Sequence, residues 1–147
     1  MIKASNTFLV SINAKPEIVF DYVSDLRRHS EWNEGLRIEA LTPGPPGVGS
    51  RYHTVGNVLK KDRPNELEVT LFQPPTRFAF VVQDPNFNKI MHEFSIQAKD
   101  NGTLLERTVE ANMPLLVWIV WRLLIFPFID RPSMNKSLAA LKAVSER

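Results

Sequence analysis

The 147-residue sequence contains no cysteine, which excludes a disulfide framework, a thiolate nucleophile and any zinc site built on sulfur. Its three histidines show no metal-ligand spacing such as His-Glu-x-x-His, so no metal is expected and no cofactor is predicted. Gly-x-Ser-x-Gly, the P-loop and Gly-x-Gly-x-x-Gly are missing as well. Gly44, Gly47 and Gly49 belong to the proline-broken stretch 43–49 rather than to a strand-to-helix phosphate cradle, so nucleophilic and phosphate-binding chemistry is excluded. Charge of one sign is also scarce: the net charge is +2 and the basic residues are scattered, whereas a nucleic-acid surface needs a basic stripe. The longest apolar run, 115–126, falls short of the about 20 residues that cross a bilayer. It contains Arg122, and Pro127 and Pro132 interrupt the residues beyond it. The first residues lack the basic region and apolar core of a signal peptide, which predicts a cytoplasmic protein. Asn101-Gly-Thr103 and Asn135-Lys-Ser137 then match the glycosylation pattern by chance.

What is present is an ordinary globular composition, 44% hydrophobic and 23% charged, over a length that suits a single domain, 1–147, with a sizeable core. Residues 7–13 alternate, with Phe8, Val10 and Ile12 opposite Thr7, Ser11 and Asn13, the period of a half-buried strand. Lys15-Pro16-Glu17 opens a helix, because proline suits the first helical position and an early acid complements the dipole. Ile18, Val19, Tyr22 and Val23 give its inner face. Ser24-Asp25 caps a second short helix through His29, ending near Trp32 and Gly35. Strand patterns occupy 36–41, 50–58, 66–72, 77–83, 89–98 and 103–111. The breaks between them, at 43–49, 60–64, 74–75, 84–86 and 99–102, are short enough to imply antiparallel neighbours. From Ser133 onward, Met134, Leu138, Leu141 and Val144 recur at helical spacing opposite Asn135, Lys136, Lys142 and Glu146, which predicts an amphipathic helix. One strand, two short helices, six strands and a long terminal helix make an α+β fold with a sheet packed on that helix.

The run Ala14-Lys-Pro-Glu-Ile-Val-Phe-Asp-Tyr-Val-Ser-Asp-Leu-Arg-Arg-His-Ser-Glu-Trp32 resembles the opening of the START-like (SRPBCC) superfamily, in its polyketide cyclase/dehydrase-type branch. Val48-Gly-Ser-Arg-Tyr52, Phe72-Gln-Pro-Pro-Thr-Arg-Phe78, Gly102-Thr-Leu-Leu-Glu-Arg107 and Asn135-Lys-Ser-Leu-Ala-Ala-Leu-Lys142 fall in matching places, so the resemblance covers nearly the whole chain. It implies a helix-grip fold: a curved seven-stranded antiparallel sheet around a long C-terminal helix, two short helices after the first strand, and a deep hydrophobic cavity. Relatives include lipid carriers, hormone receptors, cyclases and quinone-binding proteins. The function implied is binding or carriage of a small hydrophobic ligand such as a lipid, isoprenoid, quinone or aromatic polyketide. The alternative is a cyclase or dehydratase that moves protons with cavity His, Glu or Tyr side chains.

Among the titratable residues, His29 lies between charged neighbours on a short helix and reads as a solvated or capping residue. His53 shares a face with Arg51 and Val55, and His92 with Phe94 and Ile96. Candidates for proton transfer are His92, Glu106 and Tyr52. Glu106 and Arg107 are strand neighbours, so only one of them faces the cavity; an inward Arg107 suits an anionic or carbonyl head group, an inward Glu106 a base. The expected cavity lining is Trp32, Tyr52, Phe78, Phe80, His92, Phe94, Arg107, Trp118, Trp121, Met134 and Leu138. An apolar pocket with a few polar groups is a ligand site. Residues 114–130 are expected to form its lid, and their excess of Trp, Leu and Phe also suits peripheral membrane contact or a homodimer.

Overall fold

Alternating apolar and polar positions resolve into seven strands: β1 (Ile2–Ile12), β2 (Arg37–Ala40), β3 (Arg51–Val58), β4 (Lys61–Gln73), β5 (Arg77–Asp84), β6 (Asn88–Lys99) and β7 (Gly102–Met113). The computed structural model describes residues 1–58, 60–85 and 88–147. All pairings are antiparallel, in one sheet of order β1-β7-β6-β5-β4-β3-β2. The strands from β2 to β7 follow one another as hairpins. The first strand pairs with the last, so the segment after β1 must carry the chain from one sheet edge to the other. Asn86, at the end of the expected 84–86 break, lies outside the described residues.

The expected break at 60–64 is corrected. The β3–β4 ladder runs from Val58↔Lys61 through Val55↔Pro64, whereas β5 joins β4 only from Glu66. Residues 61–65 therefore have a ladder on one side, which is where a strand tolerates a proline without an N–H. At the other end of the sheet, a Cβ on Gly102 would lie 2.4 Å from the Ile12 carbonyl oxygen. The start of β7 passes the end of β1 closely enough that a side chain there would collide with backbone.

The crossing segment consists of α1 (Pro16–Ser24) and a 3₁₀ helix (Leu26–Glu31). Helix α1 buries Val19, Phe20 and Val23, while Ile18, expected on its inner face, is exposed. The Asp25 side chain caps the 3₁₀ helix by accepting from the Arg27 backbone N–H at 3.1 Å. Three residues per turn align Leu26, His29 and Trp32 on one side, and all three are buried. His29 is thus a core residue, a correction to its reading as solvated, which rested on its charged neighbours in sequence.

The C-terminal segment is helical over 31 residues without interruption, as α2 (Leu115–Val120), a π-helical stretch (Trp121–Asp130) and α3 (Arg131–Ser145). The expected stops at Pro127 and Pro132 are corrected: the wider π turns accommodate Pro127, where an α-helix would set its ring against a preceding carbonyl. Helix α3 lays Leu138, Leu141 and Val144 into the apolar face of the sheet, joining Ile12, Val19, Phe78, Phe94 and Leu105 in one core. Two polar contacts fix its end against β1: Lys142 Nζ donates to the Ser11 carbonyl at 2.9 Å, and Glu146 Oε1 accepts from the Asn13 N–H at 2.8 Å.

Candidate functional site

Strand register decides which of the chemistry-bearing side chains meet. Phe78, Phe94, Arg107 and Phe8 stand opposite one another in turn across β5, β6, β7 and β1, and the next row places Phe80 beside His92 and Val109. The interior is therefore largely aromatic. Phe78 and Phe94 have ring centroids 6.2 Å apart, Trp32 meets Phe94 edge-on at 6.3 Å, and His92 stacks on Phe80 at 4.8 Å. Alternation settles the choice between the two neighbours on β7: Arg107 points inward at 6% exposure.

Arg107 lies in this aromatic setting without a counter-ion among the described residues. Its Cζ is 4.9 Å from the centre of the Phe94 ring and 5.7 Å from that of Trp32. Its Nη2 donates to His92 Nδ1 at 3.0 Å, because guanidinium nitrogens carry only donors. Among the described residues, Nε and Nη1 have no partner, and neither does the nearby buried donor Trp32 Nε1. Burial alone pulls the Arg107 pKa down to about 10, with no carboxylate to hold it up. Arginine retains its proton at neutral pH even so, leaving a positive charge with free donors in an apolar interior.

His29, which is buried, and His92, which is half-buried, are both neutral. Burial, then the charge of Arg107, then His29 hold His92 well below the ordinary range. With Nδ1 accepting from Arg107, its proton sits on Nε2. His29 is pushed down to about 3, first by burial and also by Arg107, and its Nε2 donates to the Val23 carbonyl at 2.7 Å. His29 also touches Trp32, with centroids 4.5 Å apart, and Trp32 in turn lies beside Arg107. The sequence signal for His29 was its three-residue spacing from Leu26 and Trp32.

Other expected site residues are placed differently. Tyr52 is buried, and its hydroxyl is pushed up chiefly by burial, but it stands in the row Tyr52, Leu67, Val82, Ile90, apart from Arg107. Glu106 is corrected as a cavity base: it is on the outer face of the sheet, where with Met91, Glu93 and Glu110 it lines an open depression of about 230 Å³. Leu138 is buried and Met134 packs at the edge of the core. Trp118 is half-buried on α2. Trp121 packs on Phe126 at 5.0 Å, which in turn meets Phe8 at 6.2 Å, and donates from Nε1 to Asp130 at 2.6 Å. Among the described residues, no group of three or more His, Asp or Glu side chains could hold a metal ion.

Comparisons with known proteins agree on the architecture. The chain is similar over 99% of its length to the Zhui aromatase/cyclase from Streptomyces sp. R1128 (TM-score 0.79, 15% identity, 95% of that chain). It is similar over 97% of its length to TTHA0849 from Thermus thermophilus (TM-score 0.78, 15% identity, 97% of that chain). It also matches Ara h 8.0201 over 98% of both chains (TM-score 0.71, 11% identity). At such identities the likeness shows the helix-grip fold alone. A search of curated proteins finds no match. A family model described as polyketide cyclase / dehydrase and lipid transport matches residues 1–146, which supports a hydrophobic-ligand-binding or cyclase role. The inward strand faces, the gripped terminal helix and this match together place the chain in the polyketide cyclase/dehydrase and lipid transport family, a branch of the START-like superfamily.

Proposed function

We propose that the protein binds and carries a small hydrophobic molecule, a lipid, isoprenoid, quinone or aromatic polyketide, seated between the sheet and α3 with an oxygen head group on Arg107. The observation that carries this reading is the buried guanidinium whose Nε and Nη1 have no partner among aromatic walls. Apolar walls with a few convergent donors are the chemistry of a hydrophobic-ligand site. A carboxylate, enolate, phenolate or carbonyl oxygen would accept from Arg107 and from Trp32 Nε1, while the rest of the molecule contacts Phe78, Phe80, Phe94 and Leu138.

Carriage is favoured over proton transfer by the state of the acid-base groups. The Nδ1 lone pair of His92 is taken by Arg107, His29 donates to a backbone carbonyl, and Glu106 is on the other side of the sheet. The cyclase alternative draws on the family and on the likeness to the Zhui aromatase/cyclase; its chemistry here would rest on Arg107 stabilising an enolate. Calorimetric titration with oleate and with oleyl alcohol tests the reading. Oleate should bind at least about tenfold more tightly, since a hydrogen bond to a charged group contributes about 1.5–3 kcal/mol, and Arg107→Met should erase the difference. Equal binding of both probes, unchanged by Arg107→Met, would sink it.

A further inference from the structure

Across 115–128 the terminal helix turns only one side to the protein. Trp118, Trp121, Ile125 and Phe126 face inward to varying degrees, whereas Leu116 is 77%, Leu124 61% and Phe128 73% exposed. Leu116, Val120, Leu124 and Phe128 recur every four residues, and Leu115, Ile119 and Leu123 flank them, so the exposed side chains form a continuous apolar face. Such a face is far more than the scattered apolar surface of an ordinary monomer. Among the described residues, no helix is long and apolar enough to cross a membrane.

Two cations on the same stretch of helix favour one kind of occupant. Arg122 and Arg131 are both exposed, and their guanidinium carbons lie 5.7 Å and 6.0 Å from the centre of the same Phe126 ring. Neither forms an ion pair among the described residues. The one acid in the segment, Asp130, is already engaged by Trp121 Nε1. We propose that this face docks on an anionic lipid surface, with the apolar row in the acyl boundary and the two arginines on headgroup phosphates. An interfacial helix with apolar side chains on one face and arginines at its border has the chemistry this requires. A second copy of the chain fits less well: in a two-fold contact the patch meets itself, which would set the arginines of both copies together with no free acid between them.

Docking is independent of whether a ligand occupies the interior, so its test leaves the binding reading untouched. Flotation with vesicles of phosphatidylcholine alone, and of phosphatidylcholine mixed with phosphatidylglycerol, should carry the protein up with the anionic vesicles, less so at high salt. Leu124→Ser with Phe128→Ser should lower the bound fraction at least tenfold, since each inserted side chain of this size contributes about tenfold or more. Its circular dichroism and melting temperature should be unchanged, because both positions are exposed. Arg122→Gln with Arg131→Gln should remove the preference for anionic vesicles. The proposal is overturned if the protein stays in the soluble fraction with both kinds of vesicle. It is equally overturned if sedimentation shows a dimer that the Leu124 and Phe128 changes split while no vesicle binding occurs.

Discussion

Arg107→Met should leave the ligand-free protein at least as stable as the wild type, which is unusual for truncating a buried polar residue. A guanidinium held at about 10, against an ordinary value near 12.5, is disfavoured by about 3 kcal/mol in its charged form on folding. That penalty is present at every pH below about 10 and is relieved as pH rises through the window from there to the unfolded value. Opposing it are the bond to His92 Nδ1, about 1 kcal/mol, and the ring contacts with Phe94 and Trp32, about 1 kcal/mol together. Methionine keeps most of the volume and removes the charge, so a net gain of about 1 kcal/mol is expected, or about 4 °C in Tm for a chain of this size. The assay is urea unfolding of both proteins after delipidation, because bound cargo would stabilise the wild type by mass action. A loss of more than about 1 kcal/mol would refute the reasoning, since Arg107 would then be holding the core together rather than waiting for a partner.

Acidification should destabilise the fold through the neutral inward-facing histidines. With His29 at about 3 in the fold and near 6.5 unfolded, the unfolded state binds the extra proton between those values, so stability falls by about 2 kcal/mol from pH 7 to pH 5 through His29, and His92, also held below its ordinary range, acts in the same direction. Denaturant midpoints against pH should show the slope, and His29→Gln should flatten it. Gly102→Ala should cost more than about 1 kcal/mol because its Cβ meets the Ile12 carbonyl, which thermal melts would register. Glu106→Gln should leave oleate affinity unchanged in calorimetry, because the side chain is on the outer face; a clear loss of affinity would contradict that placement.

Much of the architecture was legible in the sequence because period-two alternation and turn residues act locally. The strands, the early helix and the apolar stripe of α3 all follow from neighbours within a few positions. The departures arise where a contact distant in sequence or an unusual helical period intervenes. Pro64 lies in a strand because β4 has a ladder on one side only there among the described residues, which no local pattern reveals. His29 is buried because a 3₁₀ helix repeats every three residues, and Pro127 sits inside a helix because π turns have room for it. For the site, His92 and the aromatic walls could be read from strand faces. The inward direction of Arg107 over Glu106 required the registers of β1 and β6, and its lack of a counter-ion is a property of the assembled interior.

The central claim is that Arg107 anchors a hydrophobic cargo, and native mass spectrometry of gently purified protein from several expression hosts tests it most directly. The expected spectrum shows the chain with a bound hydrophobic molecule carrying an oxygen head group, and Arg107→Met, equally folded, as the bare chain. Bare wild-type chain from every host, or the same adduct retained by Arg107→Met, would contradict it.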